Sequence, residues 1–128
     1  MTKAKFVQRA ETVDFIPNRD IDSGEIIRLG KLLGVTKLQV KAGELGALSL
    51  SGIYDVAKVS GAIQAGSKVY WDDIAKLATG TESGNIFLGV AACHSSPNAA
   101  KARIILNFGH PNTTEGGSSE GIQWQTIN

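Results

Sequence analysis

The segment Gly61-Ala62-Ile63-Gln64-Ala65-Gly66-Ser67-Lys68 differs from a phosphate-binding G-x-x-x-x-G-K-[ST] loop only in the order of its last two residues. Such a loop works because free backbone amides and a following helix N-terminus surround the phosphate oxygens. Here Val69-Tyr70-Trp71 follows, which is strand-forming sequence, so the segment reads as a glycine turn. Asp72-Asp73 supplies two carboxylates. Neighbours on an extended chain point to opposite faces, and no nearby acid or histidine completes a metal set, so a solvated turn is expected. Cys93-His94 joins a thiol to a base, but adjacent side chains diverge and no helix N-terminus is evident to lower the thiol pKa. A small buried cysteine ending a strand, beside a surface histidine, is the expected arrangement. His110, before Pro111, reads as a loop residue. Tyr54, Tyr70, Trp71 and Trp124 have the chemistry of a sugar-stacking platform, yet most lie in apolar runs that suit a core or an interface. No catalytic set, cofactor site or metal site emerges, and the chain reads as a non-enzyme.

What must position these residues is a repeated turn. Ile21-Asp22-Ser23-Gly24, Val40-Lys41-Ala42-Gly43 and Ile63-Gln64-Ala65-Gly66 share one order: apolar, polar, small, glycine. A fresh apolar run follows each. Glycine takes φ > 0 without a Cβ penalty, so Gly24, Gly43 and Gly66 are expected to make the same tight turn three times. Turns that end one short strand and launch the next build small antiparallel β-proteins.

The remaining elements follow from pattern. Lys5 to Ile16 gives an extended arm and a first strand, stopped by Pro17-Asn18. Glu25 to Leu33 has helical spacing, but Gly24, Gly30 and Gly34 argue for strands joined by a turn or bulge. Gly34 to Val40 reads as a half-buried strand. Ala47 to Val56 alternates cleanly, with Leu48 and Leu50 on one face and the serines on the other. Lys68 to Trp71 and Lys76 to Thr79 are short strands. Asn85 to Ala92 is a continuous apolar run that suits a central strand, and Ala102 to Phe108 returns beside it. The expected fold is all-β, a small antiparallel barrel or sandwich with an extended N-terminal arm and a flexible C-terminal tail. Its core should hold Ile26, Leu48, Leu50, Val56, Val69, Phe87, Val90, Ile104 and Leu106. The divisions are an arm at 1–12, a β domain at 13–110 and a linker with a C-terminal interaction tail at 111–128.

Size and composition agree with one globular domain: 128 residues, 42% hydrophobic and 20% charged. A net charge of +1 with scattered basic residues disfavours nucleic acid. Lys37 and Lys41, with Lys31 nearby, read as the solvent face of strands. One cysteine allows no internal disulfide, and no apolar run reaches membrane-spanning length. The start Met1 to Phe6 lacks the apolar stretch of a signal peptide, so synthesis in a cytoplasm is expected. Thr113 to Gly121 has linker composition. Beyond it, Ile122, Trp124 and Ile127 are apolar residues with little access to the parent core, and packing on a neighbouring chain is expected. Phe6 and Val7 play the same part at the other end.

Gly43 to Gly52, Ile53-Tyr54-Asp55-Val56, Lys58 to Gly61, Ile63 to Gly66 and Lys68 to Asp72 together resemble the capsid decoration, or cement, proteins of tailed bacteriophages. Asn85 to Ala92 followed by Ala102 to Leu106 resembles the strand pair that closes those proteins. The likeness runs from about Phe6 to Asn107. It implies a β-rich virion protein, made in the host cytoplasm, that binds the exterior of the head and bridges major capsid protein subunits. It also implies self-association, as a homotrimer in preference to a homodimer. Proteins of this kind often carry a recombinase label, which the failed phosphate loop argues against here. Two other classes stay open on the residues alone: a glycan-binding β module using Tyr70, Trp71 and Trp124, and an enzyme accessory domain.

Overall fold

A computed structural model describes residues 3–5 and 11–109. Nine strands follow one another: β1 (Thr12–Phe15), β2 (Ile26–Leu29), β3 (Leu32–Val35), β4 (Gly46–Ser49), β5 (Ile53–Ala57), β6 (Lys68–Asp72), β7 (Leu77–Thr79), β8 (Ile86–Ala91) and β9 (Lys101–Leu106). No described residue is helical. The strands form two antiparallel sheets, ordered β1-β4-β3-β2 and β5-β9-β8-β6-β7. The arrangement is a sandwich rather than a closed barrel, although the five-stranded sheet curls until its edges meet at one end. There Val59 N–H donates to the Ala78 carbonyl at 3.0 Å.

The helix-spaced run Glu25 to Leu33 is a hairpin. Gly30 opens its two-residue loop at φ 63°, and Leu29 pairs with Leu32. A glycine with φ > 0 at the first loop position matches the twist of the flanking strands, which a helix could not use. Two expected strands are shorter than their patterns. β3 stops at Val35, and Val40 pairs outside the strands, in a bridge to Ile21. The alternating run from Ala47 breaks at Leu50, where the chain crosses from one sheet to the other. That crossing turns Ser49 inward beneath the Tyr54 hydroxyl, 3.0 Å from Ser49 Oγ, so the serines do not share a solvent face.

Between the sheets, Leu33 and Val35 pack with Val56, Val69, Trp71, Leu88, Ile104 and Leu106. Complete burial of side chains such as Leu33, Leu88 and Ile104 contributes about 1.5–3 kcal/mol each. Of the nine expected core residues, Leu48, Val56, Val69, Phe87, Ile104 and Leu106 are buried, and half-buried Ile26 packs against the cluster. Leu50 and Val90 are only half-buried. Leu50 lies in the crossing, and Val90 pairs with Lys68 and Ile105 on the outward face of its sheet. β8 is central, as its apolar run suggested, between β9 and β6, and a bulge at Val69/Tyr70 lets Leu88 turn into the core. Gly89 is required there, since a Cβ would collide with the Ile105 carbonyl oxygen.

Candidate interaction surface

The structure places Gly24, Gly43 and Gly66 at φ 82°, 81° and 85°. Glu44 N–H donates to the Lys41 carbonyl and Ser67 N–H to the Gln64 carbonyl, both at 3.1 Å. Glycine at the third position of such a four-residue turn is the type II arrangement. In the first unit the Thr36 hydroxyl mediates instead, accepting from Glu25 N–H at 3.1 Å and donating to the Asp22 carbonyl at 2.7 Å. The apolar residue that opens each unit is buried. Ile21 and Val40 exchange two backbone hydrogen bonds, and Ile63 exchanges two with Ser95. The four turns therefore act as two interlocked pairs. Sequence reading missed the fourth, Ser96-Pro97-Asn98-Ala99, because proline at its second position and no positive φ replace the glycine signal.

These bonds dispose of the phosphate loop. The N–H groups of Gly61, Ile63, Gly66 and Ser67 donate to Pro97, Ser95, Ala91 and Gln64 carbonyls, and β6 follows where a helix would be needed. The two carboxylates after Trp71 hold a turn together. Asp72 Oδ1 accepts from Ile74 and Ala75 N–H, both at 3.0 Å. Asp73 Oδ1 accepts from Lys76 Nζ at 2.8 Å and from Trp71 Nε1 at 3.0 Å. The Lys76 bond, aided by the indole, holds the Asp73 carboxyl below its ordinary range. Among the described residues, no three of His, Cys, Asp and Glu gather as a metal site would require.

Cys93 is exposed, against expectation, because β8 ends at Ala91 and the chain bends off the sheet before the thiol. His94 is exposed beside it. Tyr70 and Trp71 are 7% and 5% exposed, and Tyr70 meets Phe87 edge-to-face at 5.9 Å. Little of either ring is left exposed for stacking on a sugar. Tyr54 is half-buried with its hydroxyl 2.9 Å from the Ser51 carbonyl. Lys31, Lys37 and Lys41 are exposed in turns and bends rather than on strand faces, since the strands there are shorter than expected. Phe6, Val7, Ile122, Trp124 and Ile127, and the tail at 111–128, lie outside the described residues.

What the described surface offers is apolar contact area. Ile16, Leu38 and Leu45 are each about two-thirds exposed or more. Leu38 and Leu45 line a groove of about 380 Å³ with Thr12, Asp14 and Ala47, along β1 at the outer border of the four-stranded sheet. A second cleft of about 400 Å³ opens between β5 and the β2–β3 hairpin, floored by Ile26, Val35, Val56 and Trp71. Its rim carries the Arg19–Glu25 ion pair at 3.0 Å. That pairing, with a 2.7 Å bond from Asp22 N–H, holds Glu25 below the usual carboxylate range. On the outer face of the five-stranded sheet, Asp55 pairs with Arg103 at 2.9 Å. Exposed apolar side chains at strand borders, with polar groups engaged in turns, suit docking.

The family described as phage cement protein matches residues 7–106, which contain every strand from β1 to β9. None of the curated proteins and none of the solved structures compared with the chain matches it.

Proposed function

The chain belongs to the phage cement protein family, a structural family of the phage capsid, and from that premise we propose that it ties neighbouring major capsid protein subunits together on the outside of a tailed-phage head. The observation that carries the reading is the family match over all nine strands. The exposed set Ile16, Leu38 and Leu45 beside the outer strand β1 supports it. An extended segment of a capsid subunit added along that border would gain main-chain hydrogen bonds, with side-chain contacts to the leucines. Each contact is weak, and repetition over a symmetric shell makes attachment firm.

In this reading the arm at 1–12 extends from the β domain at 13–110 onto the capsid through Phe6 and Val7. Ile122, Trp124 and Ile127 in the tail at 111–128 form a second contact set once the shell is engaged, reaching a neighbouring copy. Copies associate as trimers at local three-fold positions, a preference that rests on the family; a dimer is the competing state. Burial of Tyr70 and Trp71 removes most of the support for a glycan platform.

Heads stripped of the protein should recover it on co-sedimentation and gain thermal stability. Failure to bind intact heads at any protein concentration that saturates other decoration sites would refute the proposal.

A further inference from the structure

The five-stranded sheet presents an apolar row on its outer face. Ile53 on β5 pairs directly with Ile105 on β9, and Ile105 pairs with Val90 on β8. Directly paired residues share a face. Their sequence neighbours Tyr54 and Ile104 belong to or pack against the core, so the row faces outward. Ile53 is 61% exposed and Phe108, just after β9, is 60% exposed. Lys68 continues the row on β6, and Arg103 and Lys101 stand on the same face of β9, with Asp55 as a paired acid.

The chain turns back onto this row as it leaves the sheet. β9 ends at Leu106, and residues 107–109 form a turn in which Asn107 and Gly109 take φ 58° and 71°. By Gly109 the backbone lies over the row: a Cβ there would sit 3.5 Å from Val90 Cγ2. The sequence then runs through 110–121 to Ile122, Trp124 and Ile127, with Glu115 and Glu120 and no lysine or arginine.

We propose that residues 122–127 of the same chain dock on the Ile53–Ile105–Val90 row in the free protein. Reach is sufficient. Twelve residues of linker composition, 110–121, reach about 20 Å as a coil, and the row crosses two strand spacings, about 10 Å. Tethering gives the segment an effective concentration on the order of millimolar, above that of a second copy in dilute solution. Charge agrees, because the acidic linker passes a face carrying Lys68, Lys101 and Arg103. Trp124 and Ile122 cover Ile53 and Phe108, so the apolar surfaces of both partners leave water together. The docking rests on the reading above only in that the segment is released when the shell is engaged.

The test uses the full chain without capsids. Emission and acrylamide quenching of Trp124 are obtained by difference from Trp124→Phe, with Trp71 as the buried reference. Docking predicts that Trp124 is protected from quencher, equally at low and high protein concentration. Ile53→Asp should abolish that protection while the thermal midpoint of the domain stays unchanged. Phe108→Ser serves as a second disrupting variant if Ile53→Asp fails to fold. A Trp124 as quenchable as in the unfolded chain overturns the proposal, as does protection that survives both variants. Protection that rises with protein concentration also overturns it, in favour of a neighbouring copy. Capsid co-sedimentation is read separately, so failure here leaves the cement function standing.

Discussion

The Asn107 side-chain amide donates to the Leu33 carbonyl oxygen at 3.0 Å, joining residues 74 positions apart. The same nitrogen donates to the Leu50 carbonyl at 3.0 Å, and the Asn107 backbone N–H donates to Leu88 at 2.8 Å. One residue thus links β3, the crossing after β4, and β8. Asparagine is among the few non-glycine residues that tolerate its φ of 58°. Asn107→Ala should cost about 2–3 kcal/mol, from two lost bonds and backbone strain. Asn107→Gly should cost less, because it relieves the strain alone. Urea denaturation of the two variants separates the contributions, and equal losses would assign the effect to the amide.

Gly43→Val and Gly66→Val should each destabilise by about 1–3 kcal/mol. A Cβ at either site meets nothing within 4 Å, so the cost is conformational and not a clash. Asparagine at these positions should recover part of the loss. Gly89→Ala, in contrast, drives a methyl into the Ile105 carbonyl and should be worse than either valine. Thermal unfolding of the set gives the order directly.

Acid should weaken the fold in a defined direction. Arg103, Arg19 and Lys76 hydrogen bonds hold Asp55, Glu25 and Asp73 respectively below their ordinary carboxylate values. The unfolded chain therefore binds more protons than the folded one as pH drops toward about 4, and stability rises with pH through that range. The contribution is complete above the unfolded pKa values and is lost as pH falls through the folded ones. Thermal midpoints should be flat above about pH 5 and decline below about pH 4, with a shallower decline in Glu25→Gln. The effect is small because these pairs are largely exposed.

Lys68→Ala should leave stability within about 0.5 kcal/mol and capsid attachment intact, since Lys68 is an exposed strand residue. Nucleotide binding in the parent that disappears in this variant would reinstate the phosphate loop.

Deleting residues 1–9, or truncating after His110, should weaken attachment to heads or self-association while the β domain stays folded. Sedimentation with and without capsids reads both properties. If both shortened chains decorate particles like the full chain, the contacts lie wholly on the sandwich.

Glycine placement made much of this fold readable. Gly24, Gly43 and Gly66 marked turns, and Gly30 and Gly34 turned a helical spacing into a hairpin. Signals carried by partners distant in sequence were not readable. Ser49 is buried because Tyr54 covers it, and Val90 faces outward because the bulge beside Leu88 shifts the register. Thr36, fully buried within the first turn, carries no local mark of that role. The candidate surface was harder still, for an exposed Leu38 looks like any apolar residue until its strand is seen to end at Val35.

β1 belongs to the four-stranded sheet and β9 to the five-stranded one, so the segments before and after them are anchored in different layers. A pull between those segments is relieved either by peeling β1 from its one neighbour, β4, or by parting the two layers. Along the second route the load crosses the packing of Leu33 and Val35 on Leu88 and the Asn107 clamp. The two routes are mechanically distinct, one set by the four-residue β1–β4 ladder and the other by the seam between the layers. Force spectroscopy separates them, since only the second gives a rupture strength that tracks substitutions at Leu33, Leu88 or Asn107.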